Sequence, residues 1–207
     1  MNHIISAAAA SAMAIGASFG AVTDVGKTHS DPNTGIMNPM VGGQAMLASR
    51  SLIDNAAHSP DHTILVAALR QTGLADKLAN EGPYTIFAPT NAAFAGMGDR
   101  SSLDKAAMTR LLSYHVVRGK YDSQTLLRVI SEGEGEARLK TLEGGTLVAS
   151  MNGPTNIVLM DEKGGTANIA IYDVYEKNGV MMVIDKVVRP AAVRPLSARD
   201  LQVTPRS

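Results

Sequence analysis

The sequence of 207 residues contains no cysteine and no tryptophan, and aromatic residues make up only 4% of it. The absence of cysteine excludes disulfides, thiolate metal sites, a cysteine nucleophile and cysteine-linked lipidation. Lys plus Arg and Asp plus Glu number 19 each, so there is no overall field that would attract nucleic acid or acidic lipid. So few aromatic side chains cannot provide the stacking platforms of single-strand nucleic-acid binders. We therefore expect no nucleic-acid partner.

Charged residues are also absent from the start of the chain. Residues 1–22 carry none, and Ile4–Phe19 is small or apolar throughout. Ser18 and Gly20 place small residues before a cleavage site that follows Gly20, so residues 1–22 are predicted to be a signal peptide. The alternative is a transmembrane anchor, which is disfavoured because alanine dominates the stretch. The signal peptide predicts a periplasmic or secreted protein.

Helical spacing dominates the first half of the remaining chain. Residues 23–44 have no periodicity and are predicted to be a linker or a strap over the surface. Residues 45–57 are predicted to form a helix because their apolar residues share one face. Further helix starts are predicted at Ser59-Pro60, at Leu74, at Ser101 or Ser102, and at Ser123.

Short strands dominate the second half of the chain. Strands are predicted at Leu139–Leu142, Thr146–Ser150, Ile157–Met160, Ala167–Val174 and Val180–Val188. Asn178-Gly179 is expected to turn the chain with positive φ angles, as in a tight hairpin. The last strand is apolar on both faces until Asp185, which favours a central position in the sheet. Helices first and antiparallel strands second predict an α+β domain.

The stretch 84–94 is predicted to be a strand, a sharp corner and a helix start. Thr85–Phe87 is β-branched and aromatic, and the strand must end at Pro89 because proline has no N–H to donate. Thr90 or Asn91 then caps a helical turn. Phe94 follows one turn later, so we expect Phe87 and Phe94 to fill the same corner.

Three segments together resemble the conserved motifs of fasciclin (FAS1) domains. They are TIFAPTNAAF at residues 85–94, LSYHVV at 112–117 and NGVMMVIDKVV at 178–188. Their order and spacing are similar to those of the family over roughly residues 50–190. The resemblance departs at Met182, where many members have histidine, and at Arg118, where proline is usual. It also makes Tyr114–Val117 a strand, whereas apolar spacing alone would carry a helix as far as His115.

The resemblance implies a single α+β domain at residues 45–190, a β-sandwich or wedge of antiparallel strands with helices packed around it. Residues 191–207 are predicted to be a flexible tail. The implied function is an exported, non-enzymatic interaction module in cell adhesion or envelope and matrix association, without a cofactor. Its partner would be a protein or a glycan, with a membrane met only through the signal peptide. A monomer is expected. Because some fasciclin-like proteins bind carotenoids, the alternative is an apolar small-molecule carrier.

Candidate site residues follow from the motifs as family positions or partner contacts. They are Thr85, Phe87, Ala88, Pro89, Thr90, Asn91, Phe94, Tyr114, His115, Asn178, Gly179, Val183 and Asp185. His115 has the side chain of a general base, but spacing places no nucleophile or carboxylate beside it, so a structural imidazole is the better interpretation. A hydrolase built around His115 remains the third function. His58 and His62 are four residues apart, yet Pro60 interrupts the helix that would make them metal ligands, so two exposed histidines are expected.

Overall fold

A computed structural model describes residues 38–98 and 103–191 together with the backbone of residues 29–30 and 37. The predicted signal peptide at 1–22 and the tail beyond Ala191 lie outside the described residues. The helices are α1 (Leu52–His58), α2 (Thr63–Thr72), α3 (Leu74–Asn80), α4 (Asn91–Gly96), α5 (Lys105–Tyr114) and α6 (Ser123–Glu132). A 3-10 turn at Pro60–His62 precedes α2. Among the described residues no helix is long and apolar enough to span a bilayer.

Most of the strands belong to one large sheet. The strands are β1 (His29–Ser30), β2 (Met37–Asn38), β3 (Met40–Val41), β4 (Gln44–Ala45), β5 (Tyr84–Pro89), β6 (Val116–Arg118), β7 (Glu136–Lys140), β8 (Thr146–Asn152), β9 (Asn156–Met160), β10 (Thr166–Glu176) and β11 (Gly179–Ile184). Within the described part of the chain, β5 to β11 form a seven-stranded sheet in the order β6-β5-β11-β10-β9-β8-β7. The pairs β1–β2 and β3–β4 stand apart as short ribbons.

The large sheet curves until its two edges nearly meet. The N–H of Leu142, just after β7, donates to the carbonyl of Val116 in β6 at 2.7 Å, and Val117 bridges to Thr141. This confirms the α+β fold in its wedge form. One pairing departs from the antiparallel expectation, because β11 lies parallel to β5. β11 is central, as its apolar sequence predicted, with β5 on one side and β10 on the other.

Two hydrophobic cores lie on opposite faces of β5 and β11. One, the helical core, joins apolar residues of α1 to α5 to Ile86 and to Met181 and Val183 of β11. The other, the sheet core, joins α6 and the inner face of strands β7 to β10 to Phe87 and to Val180 and Met182. Successive residues of β11 alternate between the two cores because side chains alternate across a strand. The central strands are thus buried on both faces.

The predicted helix at 45–57 is wrong in its first half, since α1 begins at Leu52. The side chain of Asn55 explains the difference. Its Nδ2 donates to the carbonyl of Leu47 at 2.9 Å, and its Oδ1 accepts from the N–H of Leu47 at 3.0 Å. This pair folds the preceding segment into a turn, and Ser51 caps the helix by accepting from the N–H of Asp54. The third predicted helix likewise starts later, at Lys105 after the cap Asp104.

β10 contains a bulge that helps to position α6. The register with β11 shifts between Ile171 and Val174, and Asp173 adopts a positive φ of 56°. The Asp173 carboxylate accepts from the N–H of Ser123 at 2.7 Å and from its hydroxyl at 2.5 Å, at the first residue of α6. A carboxylate is favourable there because the first N–H groups of a helix have no partner within the helix. A first register shift lies between Ile169 and Ile171, so after both shifts Val174 in the helical core is still on the face opposite to Ile169 in the sheet core.

Candidate functional site

The first motif forms the strand, corner and helix start that its sequence predicts. β5 ends at Pro89, and Thr90 caps α4 by accepting from the N–H of Ala93 at 3.2 Å. Asn91 accepts from the N–H of Ile64 at 3.0 Å and donates to the carbonyl of Pro60 at 2.9 Å, which ties α4 to the start of α2. The hydroxyl of Thr85 donates to the carbonyl of Gly119 and accepts from the N–H of Tyr121.

Phe87 and Phe94 are both fully buried, but they do not share one corner. Phe87 belongs to the sheet core and Phe94 to the helical core. The expectation of a single corner filled by both rings is therefore wrong. The reason is the alternation along β5, which sends Phe87 to one face while Ile86 and Ala88 join the helical core. Each core receives one ring of the motif.

His115 caps the end of α5 and is 0% exposed. Its Nε2 accepts from the N–H of Val188 at 3.2 Å, so Nδ1 carries the proton and donates to the carbonyl of Leu111 at 2.8 Å. Burial lowers the pKa of His115 to about 4, although the bond to the Leu111 carbonyl opposes this change. Both ring nitrogens are bound to backbone, and the ring does not meet solvent.

Tyr114 precedes His115 and plays a similar part. Its hydroxyl donates to the carbonyl of Thr146 at 2.7 Å and accepts from the N–H of Glu162 at 3.2 Å. Burial raises the pKa of Tyr114 above its ordinary value. Helix α5 extends to Tyr114. The strand that the family resemblance predicted from Tyr114 therefore begins only at Val116, as β6.

Asn178 joins α1 to α3 and to the residue after α3 through one side chain. Its Oδ1 accepts from the N–H of Leu52 at 3.0 Å, and its Nδ2 donates to the carbonyls of Leu78 and Glu81. The predicted turn is present, because β10 and β11 pair antiparallel as far as Glu176 and Gly179. The positive φ angles expected of it are wrong, since neither Asn178 nor Gly179 has one. The glycine is required by space instead, because a Cβ at Gly179 would lie 2.0 Å from the carbonyl oxygen of Tyr84.

The remaining motif positions are also occupied by internal contacts. Asp185 accepts from the N–H and the side-chain amide of Asn168, both at 2.8 Å. Val183 packs in the helical core and Met182 in the sheet core, so the position where many members have histidine is apolar here. Arg118 lies exposed with its guanidinium 5.8 Å from the centroid of the Tyr84 ring. The described motif residues are thus engaged in contacts within the domain and do not form an open binding site.

The segment that follows β11 is held by three side chains from elsewhere, an arrangement we call the exit clamp. The acceptors are His115 for the N–H of Val188, Asp161 for the N–H of Arg189 at 2.8 Å, and Glu162 for the N–H of Ala191 at 2.9 Å. Hydrogen bonds from the N–H groups of Ala191 and Thr146 lower the pKa of the Glu162 carboxyl. Sequence reasoning missed Asp161 and Glu162, because turn carboxylates carry no signal of which distant N–H they will bind.

A buried carboxyl was also missed. Glu176 is 6% exposed, and its Oε1 accepts from Nδ2 of Asn55 at 3.2 Å. Its Oε2 has no hydrogen-bond partner within the described part of the chain. Burial raises the pKa of Glu176 to about 8, and the bond from Asn55 only partly opposes this. The carboxyl is therefore held mostly protonated at neutral pH.

His58 and His62 do not form a metal pair. His58 is exposed and its Nδ1 lies 2.6 Å from the carbonyl of Asp54, as expected of a surface residue. His62 is instead 0% exposed, contrary to expectation, with Nδ1 2.9 Å from the hydroxyl of Ser59. Burial lowers the pKa of His62, and its Nε2 has no hydrogen-bond partner within the described part of the chain. Within the described residues no cluster of three potential ligands is present.

Two serine spacings in the sequence also occur in hydrolase motifs. Gly16–Gly20 reads Gly-Ala-Ser-Phe-Gly, and Ser102 precedes Lys105 by three residues. Both serines lie outside the described residues. Lys105 is exposed at the first residue of α5. These spacings are weak signals, because a nucleophile motif needs a matching strand, turn and helix around it.

An open groove of about 330 Å³ lies between α2, α4 and α5. Its lining is mainly apolar and comprises Thr63, Ile64, Ala67, Ala68, Gln71, Phe94 and Met108. Four of the α2 residues recur at the spacing of one helix face, and Phe94 forms part of the wall from α4. The groove is the concave surface that a partner or ligand could enter.

Comparison with known proteins places these motifs in a family context. A model of the fasciclin domain matches residues 60–190. Protein sll1483 of Synechocystis is 32% identical over 158 residues, covering 73% of this chain and 79% of that protein. Immunogenic protein MPB70 of Mycobacterium bovis is 31% identical over 146 residues, covering 66% of this chain and 67% of that protein.

Two further matches extend to larger proteins. The transforming growth factor-beta-induced protein ig-h3 of Sus scrofa is 35% identical over 144 residues, which are 67% of this chain and only 19% of ig-h3. A solved structure of a FAS1 domain pair from the insect cell adhesion molecule fasciclin I superposes with a TM-score of 0.57 at 14% identity. It covers 78% of this chain and 66% of that chain. At that identity the structural match shows the fold alone.

Proposed function

The chain belongs to the fasciclin domain family, and on that premise we propose that it is an exported, non-enzymatic interaction module in adhesion or in envelope and matrix association. Its partner in this proposal is a protein or a glycan of the envelope or matrix. The proposed domain spans residues 45–190, and the proposed location is periplasmic or secreted. The structure of a FAS1 pair from an insect cell adhesion molecule supports the adhesion role by analogy of fold.

The observation that supports this function most directly is that the polar side chains of the motifs bind backbone groups within the domain. Thr85, Asn91, Tyr114, His115 and Asn178 each bind backbone groups of the same chain. A general base needs a nitrogen or carboxylate within hydrogen-bond reach of a substrate. His115 offers none, since both ring nitrogens are engaged and the ring is fully buried. The motifs therefore stabilise a rigid body whose outer surface is left for recognition.

The groove between α2, α4 and α5 is the proposed contact surface. Interface cores are depleted in charge and well packed, which suits a groove lined by Ile64, Phe94 and Met108. Ala67 lies exposed within the groove, and Ala106 lies exposed on α5 outside its lining. The two alanines offer a matched pair, because each is an exposed helical residue that arginine can replace.

Binding to the native envelope fraction tests the proposal. The wild-type protein is expected to co-sediment with the envelope, Ala67→Arg to lose most of this binding, and Ala106→Arg to keep it. Thermal melts of both variants report whether either change unfolds the protein. Equal binding of all three proteins would contradict the groove as the contact surface. Absence of binding by the wild-type protein would contradict envelope association itself.

Export is tested separately by the intact mass of the protein recovered outside the cytoplasm. A mature chain that begins at Ala21 is expected, because small residues precede that position. A mass that retains residues 1–20 would contradict a cleaved signal peptide.

A second candidate function is that of an apolar small-molecule carrier, and the groove is the observation that favours it. Its volume of about 330 Å³ lies at the lower end of ligand pockets, which measure about 300–1,000 Å³. A carotenoid-like molecule would therefore place only one part of its length in the groove. Visible absorbance of the protein purified from its host, reduced in Ala67→Arg and kept in Ala106→Arg, would support the carrier. A colourless wild-type protein would contradict a carotenoid-like ligand.

A further inference from the structure

The sequence contains two Asn-Gly pairs, Asn152-Gly153 and Asn178-Gly179, and the structure places them in opposite surroundings. Asparagine is one of the thermally labile residues. Glycine after it removes the side chain that would hinder attack of the following backbone nitrogen on the asparagine amide. The same dipeptide thus has the same intrinsic chemistry at both positions, and only the fold distinguishes them.

Asn152 ends β8 at the exposed tip of the β8–β9 hairpin. Asn152, Gly153 and the next two residues are exposed, and Asn152 pairs with Asn156 across the turn. The Asn152 amide makes no hydrogen bond within the described part of the chain. Gly153 has a φ of 82°, and the space where a Cβ would stand is open to 4 Å. The Asn152 amide and the following glycine are therefore exposed to water, with no neighbouring side chain among the described residues that would restrain them.

Asn178 is restrained at both side-chain polar atoms and at its carbonyl oxygen. Its Oδ1 accepts from Leu52, its Nδ2 donates to Leu78 and Glu81, and its own carbonyl accepts from the N–H of Tyr84. Gly179 is pressed against the Tyr84 carbonyl. Turning the Asn178 side chain toward the Gly179 nitrogen would break these bonds together. Reaction there needs an opening that separates α1 and α3 from β11.

We propose that Asn152 is a site of spontaneous deamidation, whereas Asn178 is protected by the fold. The backbone nitrogen of Gly153 attacks Cγ of Asn152, forms a new C–N bond and gives up its proton to water, and ammonia leaves with the electron pair of the broken C–N bond. Water then opens the resulting succinimide at either carbonyl, which yields aspartate or isoaspartate. No oxidant or reductant is involved. One negative charge appears on a chain whose formal net charge is 0, because 19 acidic groups become 20 against 19 basic ones.

The isoaspartate product also alters the hairpin. It inserts one extra methylene into the main chain at Asn152, next to the last pair of the β8–β9 ladder. The side-chain period of a strand is two residues, so a longer backbone disturbs the register at the turn first. The modification therefore changes both the charge and the shape of this exposed tip.

Peptide mapping of the aged native protein tests the proposal. Trypsin separates the two sites, since Asn152 lies in residues 141–163 and Asn178 in residues 178–186. The full chain is incubated under native conditions at mildly alkaline pH, beside a sample held in concentrated urea. Asn152 is expected to convert in both samples, and Asn178 only in urea. Native conversion of Asn178 is expected to be about 10³-fold slower or more, because it is limited by the open fraction.

Two variants separate chemistry from folding. Asn152→Gln should remove the new acidic band on isoelectric focusing, because the longer side chain forms the cyclic product poorly, while its melting temperature stays that of the wild type. Asn152→Asp should reproduce the charge of that band without ageing. Conversion of Asn178 at a rate equal to or above that of Asn152 in the native protein overturns the proposal. So does an unchanged Asn152 in a native sample whose urea control converts.

Discussion

The helical core and the sheet core each border a buried titratable group, and the two groups are accommodated differently. His115 beside the sheet core has a backbone partner for each ring nitrogen. Glu176 beside the helical core has a partner for one oxygen and none for the other among the described residues. Both are buried, with His115 0% exposed and Glu176 6% exposed. Burial alone therefore does not decide the cost of a polar group; the number of partners does.

The two groups also make the stability of the protein depend on pH in opposite directions. Glu176 has a folded pKa of about 8, above its unfolded value, so its contribution to stability is full at acidic pH and is lost as pH rises through about 8. His115 has a folded pKa of about 4, below its unfolded value, so its contribution is present above the unfolded value and is lost as pH falls toward about 4. We expect the greatest stability between these two limits.

The largest expected effect comes from truncating one ring in each core. Phe87→Ala and Phe94→Ala should each lower the free energy of unfolding by about 3–5 kcal/mol, because each leaves a cavity in a different core. Since the rings belong to separate clusters, the two losses should add within about 0.5 kcal/mol in a double-mutant cycle. Urea unfolding measures all three variants.

A coupling energy of about 1 kcal/mol or more in that cycle would mean that the two rings act together, as one shared corner requires. Stability unchanged in either single variant would show that its ring is not part of a core. Substitution of an exposed residue, Leu127→Ala on α6, serves as the control, since that side chain is 44% exposed.

Glu176→Gln is expected to stabilise the protein at alkaline pH. The substitution keeps the shape and the oxygen that accepts from Asn55 but cannot ionise, so it should raise the free energy of unfolding at pH 9 by about 3–5 kcal/mol. At pH 4 the two proteins should be nearly equal. Urea unfolding across pH checks this, with the exposed Glu136→Gln as control. Equal stability of wild type and Glu176→Gln at pH 9 would contradict a buried neutral carboxyl.

His115→Ala is expected to destabilise by about 1–3 kcal/mol at neutral pH, because the N–H of Val188 loses its acceptor. His115→Gln should recover part of that loss, and either change should flatten the decline in stability on acidification. Thermal melts measured at several pH values test this. If His115 were a general base, the variants would stay fully stable and an activity in a hydrolase screen would fall by about 10²–10⁴-fold.

Thr90→Ala should have the smallest effect, about 1 kcal/mol, since it removes one cap from α4 on the helical side. Thr90→Ser keeps the hydroxyl and should retain most of the stability. Identical melting temperatures for the two variants would indicate that the hydroxyl does not contribute to capping.

Local chemistry made much of the fold predictable. The end of β5 at Pro89, the cap at Thr90 and the helix end at Gly73 each depend on neighbours within a few residues. The sequence also predicted that His115 is a buried imidazole that holds backbone groups, and its ring makes such bonds to Leu111 and Val188. The partners of these residues could not be predicted, because the bonds of Asn178 join segments about 100 residues apart.

Glu176 shows why the rest of the site escaped prediction. Ala167 and Ile169 face the sheet core from odd positions of β10, so the even positions Val174 and Glu176 belong to the opposite face of the strand. Two register shifts lie between them, and the alternation is the same again at Val174. That second face is buried because helices cover it, with Val174 in the helical core and Glu176 in contact with Asn55 of α1, which is 121 residues away in the sequence. The parallel pairing of β5 with β11 is similarly non-local.

The exit clamp has a mechanical consequence for a module that would be pulled in use. Tension applied to the chain beyond Ala191 reaches Glu162, Asp161 and His115 in turn before it reaches β11. These three bonds would break one after another, each at low force. β11 is held along its length by β5 on one side and β10 on the other, so its bonds would bear the load together in shear. The clamp would thus yield first and absorb small loads while the sheet stays intact.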